Sequence, residues 1–174
     1  MRSVRVSGVA VLAVVLALSS VQNAFAAIEI AYDDGENDGF GASGPAGQFL
    51  GVRFSLPPDW SCARLLEARF FKLAQPGTNV WVHILNSYGS ADLPGATRFL
   101  FDISVNNQWN DADLSGQNIV VTGDFWIAVE LIFAGDPIIG EDFDDQPWDR
   151  RSYLGYPGVW TLFGTEETPI DLMI

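Results

Sequence analysis

Residues 125–133 alternate between the two faces expected of a β-strand. One set of positions holds Phe125, Ile127, Val129, Leu131 and Phe133, and the other holds Trp126, Ala128, Glu130 and Ile132. A period of two with one set entirely apolar is typical of a strand that buries one face in a core. The second set has a single charge, Glu130, so we expect that face to be partly covered too. Both features favour a sandwich of two sheets.

Further segments of this kind follow one another along the chain. They are residues 28–32, 49–56, 63–73, 79–86, 97–105, 109–114, 118–122, 159–163 and 170–174. Turn-forming residues separate them, residues 87–95 are expected to form a loop, and no segment has the spacing of an amphipathic helix. The pattern predicts an all-β fold, an antiparallel β-sandwich of roughly nine to eleven short strands and of jelly-roll type.

The first 26 residues have the features of a secretory signal peptide. Arg2 and Arg5 precede an apolar run over residues 9–18, and Ala24-Phe25-Ala26 follows as a small-x-small cleavage site. The run is shorter than the ~20 residues of a bilayer span, so signal cleavage is favoured over an uncleaved membrane anchor. We therefore expect residues 1–26 to be removed and residues 27–174 to form one sandwich domain. Its expected location is extracellular or periplasmic.

The charge balance is strongly acidic. The chain has 22 Asp and Glu against 9 Lys and Arg, a net charge of −13 at pH 7. Nucleic acids and anionic membrane surfaces both reward clustered basic residues, so neither is an expected partner. A solvated acidic coat that keeps a secreted protein soluble is the simplest interpretation. An acidic surface built for cations or basic partners is the alternative.

The cysteine content excludes an internal disulfide. Cys62 is the only cysteine, despite the oxidising destination that the signal peptide predicts. The domain must therefore be held together by its core, with or without a metal ion. For Cys62 itself we expect a buried or inert thiol rather than a bond between chains.

An acidic, Gly-rich segment near residue 35 resembles half of a calcium loop. Asp34, Glu36 and Asp38 occupy the first, third and fifth positions, and Gly39 occupies the sixth. Pro45 stands at the twelfth position, where a bidentate Glu is needed, so a complete EF-hand is excluded. Two interpretations remain: a structural calcium site completed by ligands from elsewhere, or a solvated acidic loop.

The sequence contains no recognisable catalytic motif. It has no Gly-x-Ser-x-Gly elbow, no His-Glu-x-x-His and no phosphate-binding glycine loop. The single histidine, His83, lies on a predicted strand with no partner visible in the sequence, so a structural role is favoured. Pairing Glu130 with Glu141 or Asp142 for glycoside hydrolysis would rest only on the abundance of acids. We predict that the protein is not an enzyme.

An aromatic and basic segment near residue 150 is the candidate ligand-binding site. It contains Trp148, Arg150, Arg151, Tyr153 and Tyr156. Flat amphipathic rings provide apolar contact, and guanidinium groups donate hydrogen bonds to hydroxyls or carboxylates. The expected ligand is a glycan or another cell-surface molecule. In the alternative interpretation the arginines neutralise neighbouring aspartates and Tyr153 belongs to the core.

Several short motifs, taken in order, resemble a known class of module. They are residues 30–35, 52–54, 80–84, 92–95, 113–116, 123–130, 151–153, 158–161 and 171–174. Together they are similar to the jelly-roll β-sandwich accessory modules of secreted bacterial and archaeal proteins, which occur beside peptidase, other catalytic or adhesive domains. This resemblance implies a non-catalytic role in binding, targeting or structure, and it brings no catalytic residues with it.

Two functions are compatible with these observations. The first is a binding or adhesion module, with carbohydrate as the expected ligand. The second is a structural subunit of an extracellular matrix, sheath or filament. Self-association would then use residues 28–32 or 170–174, since an exposed terminal strand can add to the sheet of a neighbour. The alternative, which is favoured, is that both terminal strands pair within their own sandwich.

Overall fold

A computed structural model describes residues 29–30, 36, 40–73, 78–88, 90–106, 108–135, 138–143 and 150–174. Within these ranges the chain is nearly all β, with one short 3-10 helix at Ser115–Gln117. All strand pairs there are antiparallel, so the predicted all-β sandwich is confirmed. No helix in this part of the chain is long and apolar enough to cross a membrane.

The described ranges contain thirteen strands. They are β1 (Phe40–Ala42), β2 (Phe49–Phe54), β3 (Ala63–Arg64), β4 (Glu67–Leu73), β5 (Thr78–Tyr88), β6 (Ser90–Val105), β7 (Trp109–Asp113), β8 (Val120–Val121), β9 (Phe125–Glu130), β10 (Ile138–Asp142), β11 (Ser152–Tyr156), β12 (Val159–Leu162) and β13 (Asp171–Leu172). The number exceeds the sequence-based expectation because several strands have only two or three residues. Such strands are too short to show an alternation.

Two main sheets form the sandwich. The larger has six strands in the order β12-β11-β2-β9-β5-β6. The smaller has five, in the order β1-β10-β4-β7 with β13 also paired to β10, and β3 pairs separately with β8. The jelly-roll connectivity stays a prediction.

The main core lies between the two sheets. The larger sheet contributes Val80 and Val82 from β5 and Val129 from β9, all fully buried. From the smaller sheet come Phe70 on β4 and Ile139 on β10. Each such side chain stabilises the fold by about 1.5–3 kcal/mol through removal of apolar surface from water. The alternating positions of these strands thus determine which face of each sheet is directed inward.

The six-stranded sheet has a second face, directed away from the main core, which we call the outer face. A second apolar cluster lies on this face. Its buried members are Phe49, Leu85, Trp126, Ala128 and Tyr153, with Trp160 and Leu162 packed against them. Trp126 has an exposed fraction of 0%. The partial covering predicted for the second face of residues 125–133 is therefore present.

Two local predictions are wrong. The alternation predicts that Phe133 is buried, yet it is 62% exposed because β9 ends at Glu130 and the chain then turns through Gly135, whose φ is +78°. Residues 87–95 belong largely to strands rather than to a loop. The β5–β6 pair extends to Tyr88 and Ser90 through three register shifts, which let strands continue through turn-forming residues.

The C-terminal segment lies within its own sheet, and the cysteine is exposed. Of residues 28–32, only Glu29 and Ile30 lie within the described ranges. Residues 171–174 are buried, and β13 pairs with β10, so this C-terminal segment is part of its own sheet rather than an exposed edge. Cys62 is exposed rather than buried, since it lies in the loop between β2 and β3.

Candidate functional site

One row of side chains on the outer face combines an exposed indole ring with two carboxylates. Trp81 on β5 is paired with Glu130 on β9 and with Asp102 on β6. Side chains directly opposite one another on neighbouring strands have Cβ atoms about 4.5–5.5 Å apart. Since Val80 and Val82 are directed into the core, Trp81 is directed outward, and its side chain is 38% exposed. A carboxylate therefore flanks this indole on each side.

The lone histidine is part of the same site. His83 lies two residues after Trp81 on β5 and is buried. Its Nε2 is 2.8 Å from Oε2 of Glu130, and its Nδ1 is 2.9 Å from Oγ1 of Thr97. We name these five residues, Trp81, His83, Thr97, Asp102 and Glu130, the Trp81 platform.

The protonation of His83 follows from its surroundings. Burial lowers the pKa of His83, and the hydrogen bond to Glu130 opposes that shift only in part. A neutral imidazole has one donor and one acceptor nitrogen, and a carboxylate can only accept. Nε2–H therefore donates to Glu130, and Nδ1 accepts from the hydroxyl of Thr97. This arrangement holds the Glu130 carboxylate in a fixed position next to Trp81.

Aromatic rings extend the row beyond Glu130. Phe49 on β2 is paired with Glu130, and its ring centroid lies 4.6 Å from that of His83 and 5.8 Å from that of Trp160 on β12. Both contacts are edge-to-face, a favourable geometry for aromatic pairs. Between Phe49 and Trp160 lies Gly155, which has no side chain. The outer face therefore carries a continuous row that begins at Asp102 and ends at Trp160.

The platform offers three kinds of contact to a ligand. The indole of Trp81 presents a flat apolar face, which can pack on the C–H groups of a sugar or on a cation. Glu130 and Asp102 present oxygen atoms that accept hydrogen bonds. Because all of these groups lie on paired strands rather than on loops, the backbone positions that carry them are set before any ligand binds.

The structure separates the residues of the candidate site predicted from the sequence. Trp148 lies outside the described residues. Arg150 is exposed, and its backbone is left-handed with φ of 60°. Arg151 is partly buried, and its Nη1 donates to the carbonyl oxygen of Arg53 at 3.3 Å and to Oγ of Ser55 at 3.0 Å. Arg151 thus joins neighbouring backbone and side-chain groups of its own sheet.

The two tyrosines of that predicted site face in different directions. Tyr153 is 5% exposed and packs edge-to-face on Trp126 at a centroid distance of 6.5 Å, so its ring is part of the outer apolar cluster. Tyr156 is 42% exposed. Residues three apart on a strand lie on opposite faces, so Tyr153 and Tyr156 do not share a binding surface on β11.

Two of the three predicted calcium ligands lie outside the residues that the structure describes. Asp34 and Asp38 lie outside the described residues, and Glu36 is exposed. Among the residues that the structure does describe, no group of three or more His, Cys, Asp or Glu side chains is arranged to hold a metal ion. The structural calcium site therefore stays a prediction.

The Trp81 platform was missed as a site in the sequence, although part of its signal was present. The alternation of residues 79–86 already places Trp81 and His83 on one face, and Glu130 is the only charge on the outer face of residues 125–133. The pairing of β5 with β9, and its register, brings these residues together. That pairing joins segments more than forty residues apart, and no local pattern specifies it.

Comparisons with protein-family models, with curated proteins and with solved structures found no match for this chain. The geometry and chemistry of the Trp81 platform are therefore the basis of the functional proposal.

Proposed function

We propose that this protein is a secreted, non-catalytic binding or adhesion module that recognises carbohydrate at the Trp81 platform. The observation that carries the proposal is the exposed indole of Trp81, flanked in register by Glu130 and Asp102. Sugars have apolar C–H faces that pack on aromatic rings and hydroxyl groups that donate hydrogen bonds to carboxylates. One flat ring with a carboxylate on each side is complementary to the C–H face and to the hydroxyl groups of a sugar.

The fixed position of Glu130 supports this function. A side chain that is already ordered loses little conformational entropy when a ligand binds, so more of the interaction energy appears as affinity. Two hydrogen bonds, from Thr97 to His83 and from His83 to Glu130, supply that order. The same bonds engage both ring nitrogens of His83, so the imidazole is itself held in place beside Glu130.

The sequence adds context to the proposal. The predicted signal peptide, residues 1–26, directs the domain to the extracellular space or periplasm, where polysaccharides and cell-surface glycans are encountered. The resemblance to accessory modules of secreted proteins also favours binding without catalysis. A glycan or another cell-surface ligand is accordingly the expected partner.

A glycan-binding survey of the exported protein tests the proposal. We expect selective binding to at least one glycan or insoluble polysaccharide, and loss of that binding in Trp81→Ala. Trp60→Ala is a matched control, because Trp60 is 39% exposed in the loop between β2 and β3, compared with 38% for Trp81. Equal loss in both variants, or no binding across the survey, would contradict the proposal.

A second candidate is a structural subunit of an extracellular matrix, sheath or filament. One observation favours it: β6 is a 16-residue strand at the edge of the six-stranded sheet, with no strand paired on its far side among the described residues. An edge strand can pair with that of a neighbour. Light scattering at high protein concentration distinguishes the candidates, since a strictly monomeric protein speaks against assembly.

A further inference from the structure

The surroundings of the Trp81 platform are acidic. The outer-face neighbours of this row lie two residues away from its members along the same strands. They include Asn79, Ser104, Leu100, Ala128 and Gly51. None of these carries a positive charge, and His83 is neutral near pH 7 because burial lowers its pKa. The charges on this part of the described face are therefore the carboxylates of Glu130 and Asp102.

The arginines on the same strands, Arg98 and Arg53, lie outside the row of Trp81. Arg98 on β6 lies at a register shift, and its guanidinium carbon is 5.7 Å from the ring centroid of Phe99. It also lines a cavity of about 280 Å³ with Ile84 and Ile119. Arg53 lies on β2 in the row of Trp126, four residues along the strand from Phe49. Neither residue belongs to the row of Trp81.

An indole between two carboxylates is complementary to a cation. The face of a tryptophan ring attracts ammonium groups more strongly than other aromatic side chains do. Carboxylates accept charge-assisted hydrogen bonds from the same groups. The excess of acidic residues, 22 against 9 basic, adds a long-range attraction for positively charged partners and a repulsion for negatively charged ones.

Only part of the row is accessible to a ligand. Trp81 is 38% exposed and Asp102 is exposed, whereas Phe49 is buried and Trp160 is partly buried. Strands in a sheet are about 4.8 Å apart, so the stretch from Asp102 through Trp81 to Glu130 spans roughly 10 Å. A stretch of this length contacts one or two sugar units of a glycan, so the chemistry of each unit determines the contact.

We propose that the ligand of the Trp81 platform is an amine-bearing glycan, of the glucosamine-polymer class. This inference rests on the proposed carbohydrate-binding function and specifies its ligand. The sugar ring stacks on Trp81, and its protonated amines pair with Asp102 and Glu130. Neutral glycans with the same backbone bind more weakly, and glycans with carboxylate or sulfate groups are repelled.

Three hexamers with one β-1,4-linked backbone provide the test: a glucose hexamer, an N-acetylglucosamine hexamer and a glucosamine hexamer. Calorimetric titration of the exported protein at mildly acidic pH compares them. We expect the glucosamine hexamer to bind about tenfold tighter or more than the other two, as charge-assisted hydrogen bonds predict. This advantage should shrink as salt is added.

Variants separate the charge effect from the stacking effect. Asp102→Asn should remove most of the preference for the glucosamine hexamer and change the binding of the glucose hexamer little, whereas Trp81→Ala should weaken all three. Glu130→Gln should act like Asp102→Asn. Glu67→Gln is the matched control, because Glu67 is an exposed acid on β4 of the other sheet and its replacement changes the net charge equally.

The outcomes distinguish this inference from the function on which it rests. Equal or tighter binding of either uncharged hexamer would overturn the inference and leave carbohydrate recognition in place. Binding of none of the three, with no glycan bound in the wider survey, would overturn both. A lysine hexamer that binds as tightly as the glucosamine hexamer would show that the platform selects charge alone, which would also overturn the glycan assignment.

Discussion

His83 and Glu130 are joined by a hydrogen bond of 2.8 Å between neighbouring strands on the outer face of the six-stranded sheet. His83 pairs with Ala128, two residues before Glu130, so the two side chains are diagonal neighbours in the β5–β9 ladder. Diagonal neighbours are within reach of long side chains. This bond connects the only histidine of the chain to a carboxylate that flanks Trp81.

The first prediction concerns the pH dependence of stability. Burial lowers the pKa of His83 in the folded protein below the ordinary value of 6.5, so the unfolded chain binds the proton more readily. The stability that neutral His83 contributes is present above the unfolded pKa and is lost as the pH falls through the folded pKa. Relative to His83→Gln, the wild type should therefore lose unfolding free energy between about pH 7 and pH 5. Urea unfolding at several pH values measures this, and a difference that does not vary with pH would contradict it.

The second prediction concerns Glu141, whose contribution to stability changes with pH in the opposite direction to that of His83. Glu141 on β10 is buried, and burial raises its pKa. Its contribution to stability is fully present below the unfolded pKa and is lost as the pH rises through the folded pKa. Glu141→Gln cannot ionise, so it should gain stability relative to the wild type as the pH is raised from acid to neutral. Glu67→Gln, at an exposed position on β4, should show no such gain. Parallel curves for Glu141→Gln and the wild type would refute this account.

The third prediction tests the hairpin of β11 and β12. A Cβ added at Gly155 would lie 2.2 Å from the carbonyl oxygen of Val159 and 2.9 Å from Cα of Trp160. Both are backbone atoms of the paired strand, so relief of the clash requires the strands to separate. Gly155→Ala should cost about 1–3 kcal/mol of unfolding free energy, as overpacking does. Gly116→Ala is the control, since nothing lies within 4 Å of a Cβ there. Equal melting temperatures for the two variants would be evidence against this packing.

The fourth prediction compares two phenylalanines of opposite exposure. Phe70 on β4 is fully buried between the sheets, and Phe133 is 62% exposed beyond the end of β9. Phe70→Ala should cost about 3–5 kcal/mol, because it removes buried apolar surface and leaves a cavity. Phe133→Ala should change stability by about 0.5 kcal/mol or less. Chemical denaturation of both variants measures the costs. A large loss for Phe133→Ala would mean that this residue is part of the core after all.

The alternation of residues was sufficient to predict the fold class and much of the core. Ile127 and Val129 lie on the inner face as expected, and Trp126 is covered on the other face. The prediction for Phe133 was wrong because apolar residues continue past Glu130, where β9 ends, and alternation alone does not show where the regular strand ends. Hydrogen bonding to a neighbouring strand decides that point, and the neighbour is distant in sequence.

The candidate site was harder to predict, for a related reason. The prediction of a site near residue 150 rests on aromatic and basic groups that are close together in the sequence. On a strand, however, such neighbours lie on alternate faces, so Tyr153 enters the outer apolar cluster while Tyr156 is exposed. The Trp81 platform gathers its members from β5, β6 and β9. Only the pairing of those strands reveals it.

The most direct test of the central claim is to observe the indole groups while a glycan binds. The chain has six tryptophans, and each indole N–H gives its own signal in a nitrogen–proton correlation spectrum, assigned by single substitutions. Addition of the tightest ligand from the glycan survey should shift the Trp81 signal most and leave the Trp60 signal in place. A shift confined to Trp148 or Trp60, with Trp81 unchanged, would contradict binding at the Trp81 platform.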